Sequence, residues 1–138
     1  MALTMKQLAT KMQEIDFCML GTHAAYDKLA SRPMSNNKDV EYDGTSRFFT
    51  WHDSRMVRDI GRNPQVMLTL TSPDGLFVTV QGEASVTTAR DAMREHWVKD
   101  VEQWFPDGVE TDGVCMITVE ASRISYWSFE DGDGEIEV

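Results

Sequence analysis

Phe48-Phe49-Thr50-Trp51-His52-Asp53-Ser54-Arg55 decides how the chain is read. Four residues of high strand propensity run, with no spacer, into the start of a helix. Strand alternation puts Phe49 and Trp51 on one face and Phe48 on the other. Asp53 or Ser54 can cap the helix. Met56, Val57 and Ile60 give it a buried stripe, and Gly61 followed by Asn63-Pro64 ends it.

Outward from there, the pattern is mostly strand. Upstream, Leu3, Leu8, Met12 and Ile15 predict an amphipathic helix over 3–15. Strands over 16–22 and 29–36 then form a hairpin, and a polar loop containing Gly44 leads into the aromatic strand. Downstream, a strand over 66–71 meets the turn Ser72-Pro73-Asp74-Gly75. A long strand over 76–86 follows, with Gly82 marking a bulge or a bend. Thr88 can cap a third helix, in which Ala92, Met93, His96 and Trp97 are in phase. Val101, Trp104 and Phe105 continue it until Pro106-Asp107-Gly108 breaks it. The last two strands are 114–119 and 123–128.

Seven short strands with hairpin signals and three helices predict a mainly β fold. The expected architecture is an antiparallel sheet closed into a barrel, with helices packed outside. The alternation of a parallel sheet is absent, and so is a Gly-rich nucleotide fingerprint. At 138 residues the chain reads as one domain, 1–138. An acidic tail over about 129–138 reads as solvated.

Charge narrows the function classes. The net charge of −10 argues against a nucleic-acid surface and against an anionic membrane. Cys18 and Cys115 sit in apolar runs and read as small buried hydrophobes. A disulfide stays open if their strands pair. No His/Cys cluster has metal-ligand spacing. No apolar run reaches the length of a membrane span and no signal peptide is evident, so a cytoplasmic location is expected.

Positive charge is sparse, which singles out two short segments. Ser31-Arg32-Pro33-Met34 and Asp53-Ser54-Arg55 each bring an arginine with a hydroxyl beside it. Guanidinium forks, hydroxyls and free N–H groups at a helix start suit a phosphate. A surface ion pair is the alternative for Arg32. For Arg55 the alternative is a solvated side chain, although a cation in the first turn opposes the helix dipole unless an anion is present. Phe48, Phe49 and Trp51 read as packing or as an apolar platform. Trp104 and Phe105 read as interface packing or as stacking residues. Of the histidines, His23 reads as exposed and His96 as partly buried, while His52 could approach a phosphate. Asp53 reads as a cap rather than a base.

Taken in order, Phe17-Cys18-Met19-Leu20, Ser31-Arg32-Pro33-Met34, Phe48-Phe49-Thr50, Asp53-Ser54-Arg55, Asn63-Pro64, Val80-Gln81-Gly82, Trp104-Phe105-Pro106 and Tyr126-Trp127 resemble one family. It is the pyridoxamine 5′-phosphate oxidase-like, FMN-binding split β-barrel family, in its general stress protein 26 branch. The resemblance implies a homodimer with FMN sites at the subunit interface. Arg32, Pro33 and Met34 would run beside the flavin, with Ser31 alongside and Arg32 at the phosphate. Phe49, Thr50 and Trp51 would lie on the neighbouring strand, and Ser54 and Arg55 would bind the phosphate. Trp104 and Phe105 would cover the flavin, from either subunit.

Two departures matter. Met56 stands where many relatives carry a lysine, and the substrate-binding Arg/His segment of true pyridoxamine phosphate oxidases has no counterpart. Vitamin B6 oxidation is therefore not expected. The resemblance implies a flavoprotein with a stress-related role, acting as an FMN-dependent oxidoreductase. The alternative is a non-catalytic dimeric binding protein for FMN, haem or a deazaflavin. The substrate, electron donor and acceptor are not readable from the sequence.

Overall fold

The computed structural model describes residues 2–138. The elements are α1 (Met5–Met12), β1 (Phe17–Ala24), β2 (Lys28–Ser35), β3 (Thr45–Trp51), α2 (Arg55–Arg62), β4 (Gln65–Thr71), β5 (Leu76–Thr87), α3 (Arg90–His96), β6 (Val114–Ser128) and β7 (Gly132–Ile136). Two short 3-10 turns, Lys99–Gln103 and Gly108–Glu110, lie between α3 and β6.

The strands form one seven-stranded antiparallel sheet in the order β2-β1-β4-β5-β6-β3, with β7 also on β6. The sheet curls around a core in which Leu20, Val80, Ile117 and Ile124 are completely buried. Its two end strands, β2 and β3, line one common groove but do not pair with each other. The barrel is therefore split along a seam between β2 and β3. At one end the seam is pinned by Asn37, whose side-chain amide donates to the Arg47 carbonyl at 2.6 Å. Asn37 holds a left-handed backbone (φ 44°), which asparagine tolerates better than most residues.

Local chemistry accounts for most elements. Thr4 caps α1 through a reciprocal box with Gln7. Leu8, Ala9 and Met12 of that helix are buried in the core. The Ser72–Gly75 turn closes as its residues require: Gly75 has φ 86° and Ser72 Oγ accepts from the Leu76 N–H. The bulge anticipated at Gly82 is present as a register shift between Gln81 and Gly82 against β6. A Cβ on Gly82 would sit 2.4 Å from the Glu120 carbonyl oxygen, so only glycine fits without moving backbone.

Three elements differ from the sequence reading. The 114–119 and 123–128 strands are one 15-residue strand, β6. The polar Glu120-Ala121-Ser122 interruption is absorbed by the bulge opposite Gly82 rather than by a turn. The seventh strand is β7, inside the acidic tail expected to be solvated. It pairs with Ile124–Ser128, buries Ile136 and places Glu135 against Arg123. Alternate residues of the tail face water, so its acids coexist with one inward side chain.

The third difference is α3, which ends at His96 instead of running to Phe105. Trp97 turns extended (ψ 130°) and its ring packs edge-on to Phe49 at 4.6 Å and to Phe105 at 6.1 Å. Tertiary packing of one large ring outweighs the helical periodicity. Thr88 is not the cap either: Ala89 occupies that position without a side-chain bond. Met93, Val101, Phe105, Val114 and Met116 join Phe49 in a second, smaller core beside the barrel.

Candidate ligand site in the barrel seam

The seam holds two clefts that share Arg32. The larger is a groove of about 280 Å³ between β2 and β3. Its β2 wall contains Arg32, Pro33 and Met34, and its β3 wall contains Phe49, Thr50 and Trp51. Trp104 and Phe105 of the same chain close one side. The smaller cleft, of about 90 Å³, lies where β2 meets the start of α2 and is lined by Ser31, Arg32, Ser54 and Arg55. Ser31, Arg32, Pro33, Met34, Phe49, Thr50, Trp51, Ser54, Arg55, Trp104 and Phe105 thus each line one or both clefts.

The small cleft gathers hydroxyls and positive charge beside a helix start. Ser54 caps α2, its Oγ accepting from the Val57 N–H at 3.3 Å. The first-turn N–H groups of Arg55 and Met56 have no intrahelical acceptor by the geometry of a helix start. Arg58, Arg62, Arg90, Arg94 and Arg123 all bind acceptors within the chain. Arg32 and Arg55 have no such partner among the described residues, so the ion-pair alternative for Arg32 is not seen. Arg32 on β2 and Arg55 at the start of α2 thus bring two guanidiniums without a partner to one small cleft, in a chain with a net charge of −10.

The groove offers a different chemistry. Strand alternation sends Phe48 into the main core, while Phe49 packs in the second core. Trp51 is half exposed and meets the buried Phe105 edge-on at 4.9 Å. Phe105 is therefore packing within its own chain, whereas Trp104 stands exposed at the rim. The free edges of β2 and β3 add backbone groups. No carboxylate and no imidazole lines either cleft.

The remaining candidates stay outside. His52 is exposed and lines neither cleft. The described residues contain no cluster of three potential metal-binding side chains. Asp53 is exposed and leaves capping to Ser54. Cys18 and Cys115 are buried and free, and burial raises their thiols to about 12 and about 11 respectively. No described helix is long and apolar enough to cross a membrane.

Sequence reasoning missed Asp59. Its carboxylate is completely buried on α2, accepts from Thr22 Oγ at 3.4 Å and pairs with Arg62. Thr22 itself lines the small cleft, so this contact ties α2 to β1 beneath the two arginines. The i,i+3 spacing of Asp59 and Arg62 was the available signal.

A split barrel with two clefts along its seam is the architecture this sequence specifies. The family model for pyridoxamine 5′-phosphate oxidase-like proteins matches residues 4–136, and the chain belongs to that family. Three solved structures show the same fold. A Clostridium acetobutylicum protein related to general stress protein 26 has a TM-score of 0.76 at 16% identity, over 89% of this chain and 86% of that one. General stress protein 26 from Bacillus anthracis has 0.70 at 24% identity, over 85% and 88%. The general stress FMN/FAD binding protein of Xanthomonas citri has 0.73 at 22% identity, over 89% of both. No curated protein matches the chain.

Proposed function

We propose that the seam binds flavin mononucleotide and that the protein is a flavin-dependent oxidoreductase. The observation that carries this reading is the convergence of the unpaired Arg32 and Arg55 with Ser31 and Ser54 on a phosphate-sized cleft, continuous through Arg32 with an aromatic groove. Family membership and the FMN/FAD binding relative support it. Arg32, Arg55 and the Ser31 and Ser54 hydroxyls would hold the phosphate. Met34, Phe49, Thr50 and Trp51 would line the ring, with Trp104 and Phe105 limiting water at one edge. The bound flavin would supply hydride chemistry; the chain supplies anchoring, orientation and a groove without competing acids or bases.

Dimerisation is part of the proposal. Cross-strand partners share a face, which puts Met19, Leu29, Met67, Phe77 and Trp127 together on the outer side of the sheet. All five are exposed in the single chain. An apolar face of this kind on a soluble domain suits a second copy of the chain. Light scattering at micromolar concentration checks this point, and a monomer counts against it.

The deciding experiment is an FMN titration followed by quenching of flavin fluorescence, on the wild type and on Arg55→Ala. Quenching that Arg55→Ala weakens supports the site, and unchanged affinity removes Arg55 from it. Bleaching of the bound flavin by NADPH or NADH then tests the oxidoreductase reading. The lack of any acid or base in the groove keeps one alternative open: a dimer that holds the flavin without turnover. Binding without bleaching selects that alternative.

A further inference from the structure

The three arginines of α2 meet three different fates. Arg55 lines the small cleft and has no partner among the described residues. Arg58 donates to the Asp53 carbonyl at 2.7 Å. Arg62 pairs with Asp59, the single carboxylate on the helix.

Asp59 has a choice of cation. It stands four residues after Arg55 and three before Arg62, so both are its neighbours on the helix surface. Helical side chains lean toward the N-terminus, which turns Asp59 toward the turn that carries Arg55. A pair at this spacing forms without any change of backbone. Yet Asp59 is completely buried and spends its oxygens elsewhere: Oδ1 on Arg62, and Oδ2 on the Thr22 hydroxyl at 3.4 Å. Thr22 and Arg55 line the same cleft, so the carboxylate lies close behind its wall.

A buried carboxylate that loses its cation is left uncompensated, and it attracts the next one within reach. Arg58 is held by the Asp53 carbonyl, and Arg32 belongs to β2. On α2 the remaining cation is Arg55. An Arg55 bound to Asp59 has its charge neutralised and its N–H groups spent.

We propose that Arg62 and Asp59 are positioning residues: Arg62 occupies Asp59, and Asp59 so occupied leaves the Arg55 guanidinium free for a phosphate. The phosphate rests on the flavin reading above; the competition of two arginines for one carboxylate does not. Arg62 lines neither cleft and acts only through Asp59.

The test compares the wild type with Arg62→Ala, Asp59→Asn and the double variant, using two readouts. The first is the Arg55 Nε–H signal of the 15N-labelled protein without ligand, assigned with Arg55→Lys. Arg62→Ala should move it, and adding Asp59→Asn should return it. The second is the ratio of FMN to riboflavin affinity, read by quenching of flavin fluorescence, because riboflavin lacks the phosphate. Arg62→Ala should cut that ratio about tenfold while riboflavin affinity holds, and the double variant should recover it. Asp59→Asn alone should not lower it. A purely structural role would weaken both ligands together, and removing the Asp59 charge would not repair it. Arg62→Gln keeps a donor for Asp59 without the charge and should act in the same direction if Arg62→Ala does not fold. An unmoved Arg55 signal, an unchanged ratio, or a double variant as weak as Arg62→Ala would overturn the proposal. A wild type that does not quench FMN overturns the flavin reading instead, and the Arg55 signal still decides the competition.

Discussion

Strands β2 and β6 were made by the same backbone rules, yet they are opposites. β6 is flanked by β5 on one edge and by β3 and β7 on the other, and most of its residues are buried or half-buried. β2 has one partner, β1, and Met34 is its single buried residue. One strand is held by both edges and carries no candidate chemistry. The other leaves an edge free and carries Arg32. A barrel that closed on β2 would be more regular and would have no groove.

The sharpest way to break this contrast is to injure both strands equally. Ile124→Ala on β6, where the side chain is completely buried, should cost about 4 kcal/mol of unfolding free energy in a urea titration. A loss below about 1 kcal/mol would mean that β6 is not the spine of the core.

An alkaline titration comes next, and it probes β1, the strand that joins β2 to the rest. Burial raises the Cys18 thiol from 9.0 to about 12. Folding favours its protonated form, so that contribution is complete below pH 9 and is lost as pH rises toward 12. Between pH 9 and pH 11 stability should fall by roughly 2–3 kcal/mol from this group alone. Cys18→Ala should flatten that part of the profile, and an unchanged slope would sink the assignment.

Asp59→Ala should cost about 2 kcal/mol, because Thr22 loses its acceptor and Arg62 its partner. Thermal unfolding measures it. If stability is unchanged, α2 is held by Met56, Val57 and Ile60 alone.

The smallest stability effect belongs to β2. Arg32→Ala should change unfolding free energy by less than about 0.5 kcal/mol, because the side chain is exposed and without a partner. Its effect should appear instead as weaker FMN quenching. A large loss of stability with unchanged quenching would reverse the roles of the two strands.

What the sequence revealed followed from local chemistry. Ser54, Met56, Val57 and Ile60 define α2 within a few residues of each other, and Gly75 and Gly82 announce a turn and a bulge by what glycine alone can do. Arg32 and Arg55 stood out because positive charge is sparse. What it hid was non-local. Nothing near Trp97 says that its ring will wedge between Phe49 and Phe105 and stop a helix. Nothing in 132–136 says that an acidic run will find Ile124–Ser128 as a partner. The closeness of β2 and β3 is invisible to pairing rules because the two do not pair.

The pin at Asn37 has a consequence of its own. An unzipped barrel exposes two strand edges to the surrounding solution, and such edges recruit one another between molecules. β2 is defended: Pro33 offers no N–H, and Arg32 and Lys28 put charge along the rim. β3 has fewer such defences, with Phe48, Phe49 and Trp51 among its last four residues. Its protection is the short tether that keeps it facing β2. Cutting that tether, as in Asn37→Ala, turns the seam groove into a sticky margin, and the first symptom will be turbidity on storage.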